Sequence, residues 1–336
     1  MSRYRKRLPQ LGGRMFLSDA GLETMLSFQQ GFTLPSFASF VLLREERGRQ
    51  ALRQYFELFA RMAHEHGAGA VLETPTWRAN RDWAAPLGYN ALALAEANRA
   101  AVALLAEVRE RWDSPASPIV ISGNIGPRGD GYRADRRMSA FDARDYHLAQ
   151  VATFAGTEAD MVAAFTMTYP DEAIGVVDAA ASCDMPVAIS FTLETDGRLP
   201  SGDALSEAIL RTDAETGSYC AYYMINCAHP SHIEPALEED GPWRERIHGL
   251  RANASRRSHA ELDESTELDD GDPDELGEEY LMLRTLLPQM NVVGGCCGTD
   301  ERHVEAIARS LARVAPFDAR WRTVPAGGMP SGQGPR

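Results

Sequence analysis

Short apolar runs alternate with amphipathic segments along most of the chain. The apolar runs are rich in Val, Ile, Ala and aromatic residues and end at Gly, Pro, Asn or Asp, a pattern typical of strands. Because most of their residues are apolar, these strands should be buried on both faces, as in a parallel sheet. Eight such runs can be marked, at 15–21, 70–77, 118–126, 159–166, 186–192, 219–228, 247–255 and 290–298.

The segments between these runs carry apolar residues at helical spacing. The clearest covers 49–66, where one face of a helix would hold Leu52, Tyr55, Phe56, Phe59 and Met62. Further helices are predicted at 91–112, 140–155, 171–181, 203–215 and 299–312. Strands that alternate with helices predict the α/β class, and eight such units predict a single (β/α)8 TIM barrel. A doubly wound open sheet is the alternative, although no GxGxxG motif follows the first predicted strand.

Three segments lie outside this alternation. Residues 1–14 form an N-terminal extension, and the barrel is assigned to 15–316. Residues 261–279 hold eleven acidic residues with Gly and Pro, which predicts a solvated, flexible loop. A lid or a partner contact is the functional alternative for that loop. Residues 317–336 are rich in Pro and Gly, which predicts a flexible C-terminal tail.

Composition narrows the classes of partner. The 336 residues are 44% apolar, enough for a large core, and carry a net charge of −14. An acidic surface repels nucleic acid and anionic lipid, so we expect neither as a partner. No apolar run reaches the roughly 18 residues that span a bilayer, and the basic start lacks the apolar stretch of a signal peptide. A cytoplasmic location is therefore expected, and nothing in the sequence predicts the oligomeric state.

The placement of cysteines supplies the candidate chemistry. Among five cysteines, Cys183 and Cys220 are interpreted as small buried apolar residues. Cys227 ends the sixth predicted strand, and Cys296 and Cys297 end the eighth. Because side chains at the carboxyl ends of barrel strands meet at one mouth, these three thiols are expected to converge there.

Three converging thiolates are soft ligands that suit zinc, and they leave the fourth tetrahedral position open. A substrate thiol bound there would lose its proton and become the nucleophile that methyl transfer requires. The glycines at 294, 295 and 298 would let two successive cysteines face one ion. The alternatives are two buried cysteines beside a glycine-rich turn, and redox chemistry at the vicinal Cys296–Cys297 pair.

The string GGCCGT, together with the upstream pair Asn226–Cys227, resembles the homocysteine S-methyltransferase family. Relatives in that family include betaine–homocysteine methyltransferase and the homocysteine domain of cobalamin-dependent methionine synthase. LSDAGLETML near the start, SGNIGP and ISFTLETDGRLPSGDAL resemble further family motifs and occur in the family's order. The resemblance runs from about residue 16 to 313. It implies a (β/α)8 barrel and zinc (Zn2+) held by Cys227, Cys296 and Cys297.

The resemblance also implies roles for residues around the metal, with Asp19, Asn226 and Asn253 as candidate catalytic residues. Asp19 matches the first-strand aspartate near the bound amino acid, and a turn or helix-capping role is the alternative. Asn226 precedes a ligand and would help to orient it. Asn253 stands where the family carries an asparagine at the end of the seventh strand, with a structural role as the alternative. Ser190 lies on the fifth strand and would face the substrate, with a structural role as the alternative.

The fourth strand departs from the family. The resemblance places Phe165, followed by Thr166, where the family carries the glutamate that helps to hold the homocysteine ammonium. Phe cannot form an ion pair, and a cation–π contact is weaker and differently shaped. Glu73, at the end of the second strand, is the candidate substitute, with a salt bridge or a cap as its alternative role. The candidate substrate-binding residues are therefore Asp19, Glu73, Phe165, Thr166 and Ser190.

Together these features predict an enzyme, a zinc-dependent S-methyltransferase. Its partners would be small molecules: a thiol acceptor, which is homocysteine or a related thiol, and a sulfonium or ammonium methyl donor. The resemblance suggests S-methylmethionine, S-adenosylmethionine or betaine as donors. With homocysteine the product is methionine, so a place in methionine biosynthesis is expected. The alternative is a zinc-binding barrel without homocysteine methyltransferase activity, which acts on another thiol or as a regulator.

Overall fold

Eight parallel strands form a closed barrel in chain order, with β1 paired to both β2 and β8. The structure is a computed structural model that describes residues 1–265 and 267–313. The barrel confirms the predicted fold and excludes the doubly wound sheet. Each predicted run overlaps one strand: β1 Phe16–Leu17, β2 Gly69–Glu73, β3 Ile119–Ile125, β4 Met161–Met167, β5 Val187–Phe191, β6 Tyr222–Asn226, β7 Ile247–Ala252 and β8 Val292–Gly295.

Helices surround the strands, and six of them lie where helical spacing predicts them. Polar side chains begin two of them, since Asn90 and Ser139 each accept a hydrogen bond from a first-turn amide. The helices are α1 Leu22–Thr24, α2 Glu46–Glu65, α3 Arg81–Ala84, α4 Ala91–Trp112, α5 Ala140–Ala155, α6 Pro170–Ala181, α7 Leu205–Thr216, α8 Pro230–Ile233, α9 His259–Asp263, α10 Pro273–Leu286 and α11 Glu301–Leu311. The six that helical spacing predicts are α2, α4, α5, α6, α7 and α11. No helix of the described residues is long and apolar enough to cross a membrane.

Side chains alternate along each strand between the helix layer and the barrel interior. Val71, Val120, Met224 and Val292 form part of an interior cluster, whereas their strand neighbours pack against the helices. Residues two positions further along a strand share the inward direction. This alternation aims a set of side chains into the carboxyl-terminal mouth of the barrel, namely Glu73, Ser122, Phe165, Asn226 and Arg251.

The first residues of the chain close the opposite, amino-terminal end of the barrel. Leu8 joins the interior cluster, and Gln10 is fully buried beneath it. The Asp160 carboxylate accepts hydrogen bonds from the backbone amides of Arg3 and Tyr4 at 2.8 and 2.7 Å. The predicted extension at 1–14 is therefore packed into the barrel.

The acidic segment 261–279 was predicted as a flexible loop, and this is wrong at both of its ends, because α9 extends into it as far as Asp263 and α10 begins within it. Helix α10 begins inside it at Pro273 and is capped by Asp272, whose Oδ1 accepts hydrogen bonds from the amides of Asp274 and Glu275. Helical spacing buries Leu276, Tyr280 and Leu283 and leaves Asp274, Glu275 and Glu278 on the outer face. The predicted tail at 317–336 and the last residues assigned to the barrel, 314–316, lie outside the described residues.

Candidate metal centre

Three cysteine sulfurs meet at the carboxyl-terminal mouth of the barrel. Cys227 follows β6, and Cys296 and Cys297 follow β8, on either side of β7. Their Sγ atoms all lie within 4.8 Å of one another, and the Cys227 and Cys297 sulfurs are 3.9 Å apart. Cys227 is buried, whereas Cys296 and Cys297 are partly exposed. The predicted convergence is confirmed, and Cys183 and Cys220 lie outside this cluster.

Backbone contacts along β7 hold the two cysteine segments in place. The Cys227 amide donates to the Arg251 carbonyl at 3.1 Å, and the Cys296 amide donates to the Ala252 carbonyl at 2.8 Å. Gly295 permits the close turn after β8, because a Cβ atom there would lie 2.1 Å from Thr299 Oγ1. The sulfurs therefore converge through contacts to a shared neighbouring strand.

This donor set fits zinc in the reduced state of the protein. Three soft thiolates with a partly exposed side match a zinc site that keeps one position for a ligand. The Cys227 and Cys296 sulfurs are in direct contact. A metal ligand must be a thiolate, so zinc binding requires all three cysteines to be reduced.

Asn226 links three strands immediately before the first cysteine. Its Oδ1 accepts from the Thr166 amide at 2.9 Å and from the Ser190 hydroxyl at 2.7 Å. Its Nδ2 donates to Thr166 Oγ1 at 2.9 Å and lies 4.0 Å from Cys296 Sγ. Thr166 and Ser190 are therefore engaged with Asn226, and all three side chains are buried. The structure thus brings these predicted site residues together beside the sulfurs.

Asn253, Tyr132 and His259 surround the same sulfurs. The Cys297 amide donates to Asn253 Oδ1 at 3.1 Å. The Tyr132 hydroxyl lies 3.6 Å from Cys297 Sγ and 3.9 Å from Cys227 Sγ. The Tyr132 ring stacks on His259, whose Nε2 donates to the Cys227 carbonyl at 2.5 Å. Tyr132 therefore covers one side of the cluster, supported by His259.

Asp19 is ion-paired inside the protein. One of its carboxylate oxygens lies 2.7 Å from Arg251 Nη2, and the other accepts from the Tyr55 hydroxyl at 3.2 Å. Arg251 also donates to the carbonyls of Ala20 and Gly295 at 2.9 and 3.0 Å. Burial raises the pKa of Asp19, and the Arg251 charge opposes that rise. A charge that Arg251 already balances is a poor partner for a substrate ammonium.

Phe165 and Glu73 lie in the same mouth. Phe165 is buried in the interior cluster, and the Arg251 guanidinium carbon lies 5.2 Å from the centre of its ring. Glu73 is 3% exposed, and within the described part of the chain its Oε2 has no hydrogen-bond partner. Burial raises the pKa of Glu73 to about 8, although Arg251 lowers it in part. Near neutral pH, Glu73 is therefore a protonated acid.

Sequence analysis missed Arg251, Tyr132 and His259. Arg251 stands two residues before Asn253, so strand alternation alone places both side chains on the inward face. The sequence therefore contained the signal that places Arg251 in the mouth. Tyr132 lies on the connection between β3 and α5, and His259 begins the short helix α9, so no periodic pattern marks either residue as one that reaches the mouth.

Comparison with known proteins shows where this sequence and this fold recur. A family model described as homocysteine S-methyltransferase matches residues 16–311. Homocysteine S-methyltransferase 2 of Zea mays is 25% identical over 208 residues, which cover 58% of this chain and 59% of the maize protein. The match thus spans less than two thirds of that relative.

Two crystal structures of the homocysteine methyltransferase MmuM from Escherichia coli share the fold. The oxidised form superposes with a TM-score of 0.71 and 19% identity, covering 88% of this chain and 95% of that one. The metallated form gives a TM-score of 0.70 and 19% identity, covering 88% of this chain and 96% of that one. The likeness extends over almost all of the barrel.

Proposed function

The chain belongs to the homocysteine S-methyltransferase family, and from this premise we propose that it is a zinc-dependent enzyme that methylates a small thiol. Homocysteine or a related thiol is the acceptor. The observation that carries the proposal is the meeting of three sulfurs, from Cys227, Cys296 and Cys297, within 4.8 Å of one another at the barrel mouth. With homocysteine as acceptor, the product is methionine.

Cys227, Cys296 and Cys297 would hold the zinc ion. When bound, zinc lowers the pKa of an acceptor thiol and keeps it as a thiolate near neutral pH. Asn253 fixes the backbone of Cys297, and Asn226 ties β4, β5 and β6 together beside Cys296. These contacts orient the sulfurs before any substrate arrives, which is the usual task of residues behind metal ligands.

The reaction is a direct displacement. The acceptor thiolate attacks the methyl carbon of a sulfonium or ammonium donor, a new S–C bond forms, and the C–S or C–N bond to the donor breaks. The bonding electrons leave with the donor, which departs as a neutral sulfide or amine. S-methylmethionine, S-adenosylmethionine and betaine are donors of this kind. Tyr132 lies over the sulfurs and would help to exclude water from the reacting atoms.

A second candidate function is that of a zinc-binding barrel that acts on a thiol other than homocysteine, or that acts as a regulator. Phe165 supplies no charge for an ammonium, and the Asp19 carboxylate is neutralised by Arg251. Glu73 is protonated near neutral pH because its pKa is raised to about 8. These three observations favour an acceptor without an α-ammonium over homocysteine itself.

Metal content and methyl transfer test the proposal together. The full chain should be reduced, loaded with zinc, dialysed and analysed for metal, and we expect about one zinc per chain because the cluster is a single three-thiolate site. Cys227→Ser should lose that zinc, whereas Cys183→Ser, outside the cluster, should keep it. Methyl transfer is then assayed with each donor against homocysteine and other thiols.

Stable zinc binding without methyl transfer to any thiol would support a regulatory function. Reduced protein that retains no zinc would contradict both candidates.

A further inference from the structure

Arg78 lies just beyond β2 at the carboxyl-terminal mouth, in an unusual setting. Its guanidinium carbon is 3.9 Å from the centre of the Trp77 ring and 3.6 Å from that of Trp83. Only 7% of the residue is exposed. The two aromatic rings hold the guanidinium through cation–π contacts with its faces. Its N–H groups, which point outward along the edge, remain for hydrogen bonding. Arg78 is thus a fixed cation rather than a flexible surface side chain.

The protein provides few hydrogen-bond acceptors to the edge of the Arg78 guanidinium. Nη1 donates to the Gly129 carbonyl at 3.2 Å, and Nε is buried without a partner among the described residues. The other two buried arginines of the described chain each have a carboxylate: Arg109 pairs with Asp160 and Glu158, and Arg251 pairs with Asp19. No carboxylate described in the structure lies within ion-pairing distance of Arg78.

A buried guanidinium without a counter-ion is costly, and burial lowers the pKa of Arg78 to about 10. The group nevertheless stays charged near neutral pH. The charges of Asp130 and Glu23 favour the charged form of Arg78, but neither carboxylate forms an ion pair with it. An uncompensated cation of this kind is suited to an anion that arrives with a ligand.

The loop after β3 connects Arg78 to the sulfur cluster. The Gly129 carbonyl accepts hydrogen bonds from Arg78 and from Trp83 Nε1. Gly131 lies against Trp77, because a Cβ atom there would be 3.1 Å from its ring. The next residue is Tyr132, whose hydroxyl reaches the cysteine sulfurs. Arg78 and the sulfurs therefore both contact the short loop segment 129–132 at the mouth.

We propose that Arg78 binds the carboxylate of one of the two small-molecule substrates, the thiol acceptor or the methyl donor. This inference rests on the proposed function. A planar guanidinium edge matches a carboxylate through paired, charge-assisted hydrogen bonds. The cation would hold one end of the ligand while its sulfur, or its methyl-bearing centre, lies at the cysteine cluster.

The experiment measures binding to the reduced, cobalt-substituted full chain. In the acceptor arm, 3-mercaptopropionate is compared with 2-mercaptoethanol, which lacks the carboxylate, through the thiolate-to-cobalt absorption band. In the donor arm, dimethylsulfoniopropionate is compared with trimethylsulfonium by calorimetry. The variants are Arg78→Gln, Arg78→Lys and the matched control Arg81→Gln, which changes an exposed arginine on α3.

In one arm, Arg78→Gln should weaken binding of the carboxylate ligand by about 10- to 100-fold, the effect of losing a charged hydrogen-bond pair. The carboxylate-free ligand should bind as before, Arg78→Lys should give an intermediate loss, and Arg81→Gln should match the parent. The arm that responds identifies acceptor or donor.

If Arg78→Gln does not fold, the parent chain and Arg78→Lys still decide the question. The parent should prefer the carboxylate ligand in one arm, and Arg78→Lys should reduce that preference. Equal affinity for both ligands in both arms, or equal losses for both ligands in the variants, would contradict the proposed role of Arg78. The proposed function would not be affected by that result. A parent whose cobalt band responds to no thiol would overturn the proposed function as well.

Discussion

Thr166 and Cys227 hold left-handed backbone angles, with φ of 62° and 53°. Each such residue costs on the order of 1 kcal/mol, since neither is glycine. The hydrogen bonds of Asn226 to the Thr166 amide and hydroxyl stabilise the first of these turns. At the residue scale, one asparagine thus secures the backbone on one side of the mouth and stands next to a cysteine ligand candidate.

Cys297→Ala should abolish zinc retention and turnover together, because the two remaining thiolates cannot hold zinc as the three-sulfur site does. Zinc content after dialysis and the rate of methyl transfer provide the measurements. Cys183→Ala removes a thiol outside the cluster and should leave both unchanged. Full activity in Cys297→Ala would contradict its role as a ligand.

Glu73 should make the stability of the protein depend on pH. With its pKa raised from 4.5 to about 8, the folded protein keeps a proton that the unfolded chain releases. The contribution to the free energy of unfolding is therefore full below about 4.5 and is lost as the pH rises to about 8. The loss should be on the order of a few kcal/mol.

Glu73→Gln removes this titration and keeps the size of the side chain. Urea unfolding at pH 5 and pH 8 should show a smaller loss of stability with rising pH in the variant than in the parent. Identical losses in the two proteins would show that Glu73 does not carry a raised pKa.

Phe165→Glu places a carboxylate in the mouth. The ratio of kcat/KM for homocysteine to that for 3-mercaptopropionate should rise by about tenfold, the size of one charged hydrogen bond. Phe165→Leu loses the ring without adding charge and serves as the control. An unchanged acceptor profile in Phe165→Glu would show that this position does not select the substrate.

At the scale of elements, the segment between β7 and β8 shows how capping overrides composition. Its acidic residues alone predict a solvated loop, yet Asp272 and Pro273 begin a helix there. Asp274 and Glu275 then lie in the first turn, where negative charge favours the helix dipole. The same residues that make the segment acidic therefore stabilise the start of α10.

Asp272→Ala should lower the free energy of unfolding by about 1 kcal/mol, because two amides of the first turn lose their acceptor. Chemical denaturation with circular dichroism measures the change. Asp145→Ala, at an exposed position within α5, is the matched control and should change stability by less than about 0.5 kcal/mol. Equal effects of the two substitutions would rule out the cap as the cause.

The sequence alone was sufficient to predict the elements that are specified by a local pattern of residues. Apolar runs located all eight strands, and strand ends located the three cysteines. The Asp19–Arg251 pair was not predicted, because strand alternation gives a side chain's direction but not its partner across the barrel. The same limit hid Tyr132, whose contact with the sulfurs depends on how one irregular loop folds back.

At the scale of the whole molecule, the N-terminal segment joins distant parts of the chain at the amino end of the barrel. The Asn291 side chain, just before β8, donates to the carbonyls of Gln10 and Arg14 at 2.6 and 2.7 Å. Asp160, just before β4, accepts from the amides of Arg3 and Tyr4 and pairs with buried Arg109. The first residues therefore act as a plug that ties β4 to β8.

Deleting residues 1–12 should lower the free energy of unfolding by about 3 kcal/mol or more, since an apolar interior becomes exposed and several hydrogen bonds are lost. Urea unfolding measures the effect. Leu8→Ala, in the interior cluster, should cost about 2 kcal/mol, whereas the more exposed Leu11→Ala should cost under about 0.5 kcal/mol. A stable truncated protein would show that the barrel does not need its plug.

The plug also sets an order of events during biosynthesis. Gln10 cannot receive its bond from Asn291 until a further 281 residues have been translated, which takes about 15–60 s at roughly 5–20 residues per second. Until then Leu8 has no completed interior to enter. The plug is thus made before most of the barrel but seated after it, and any chaperone that restrains it on the ribosome should delay maturation of the whole barrel.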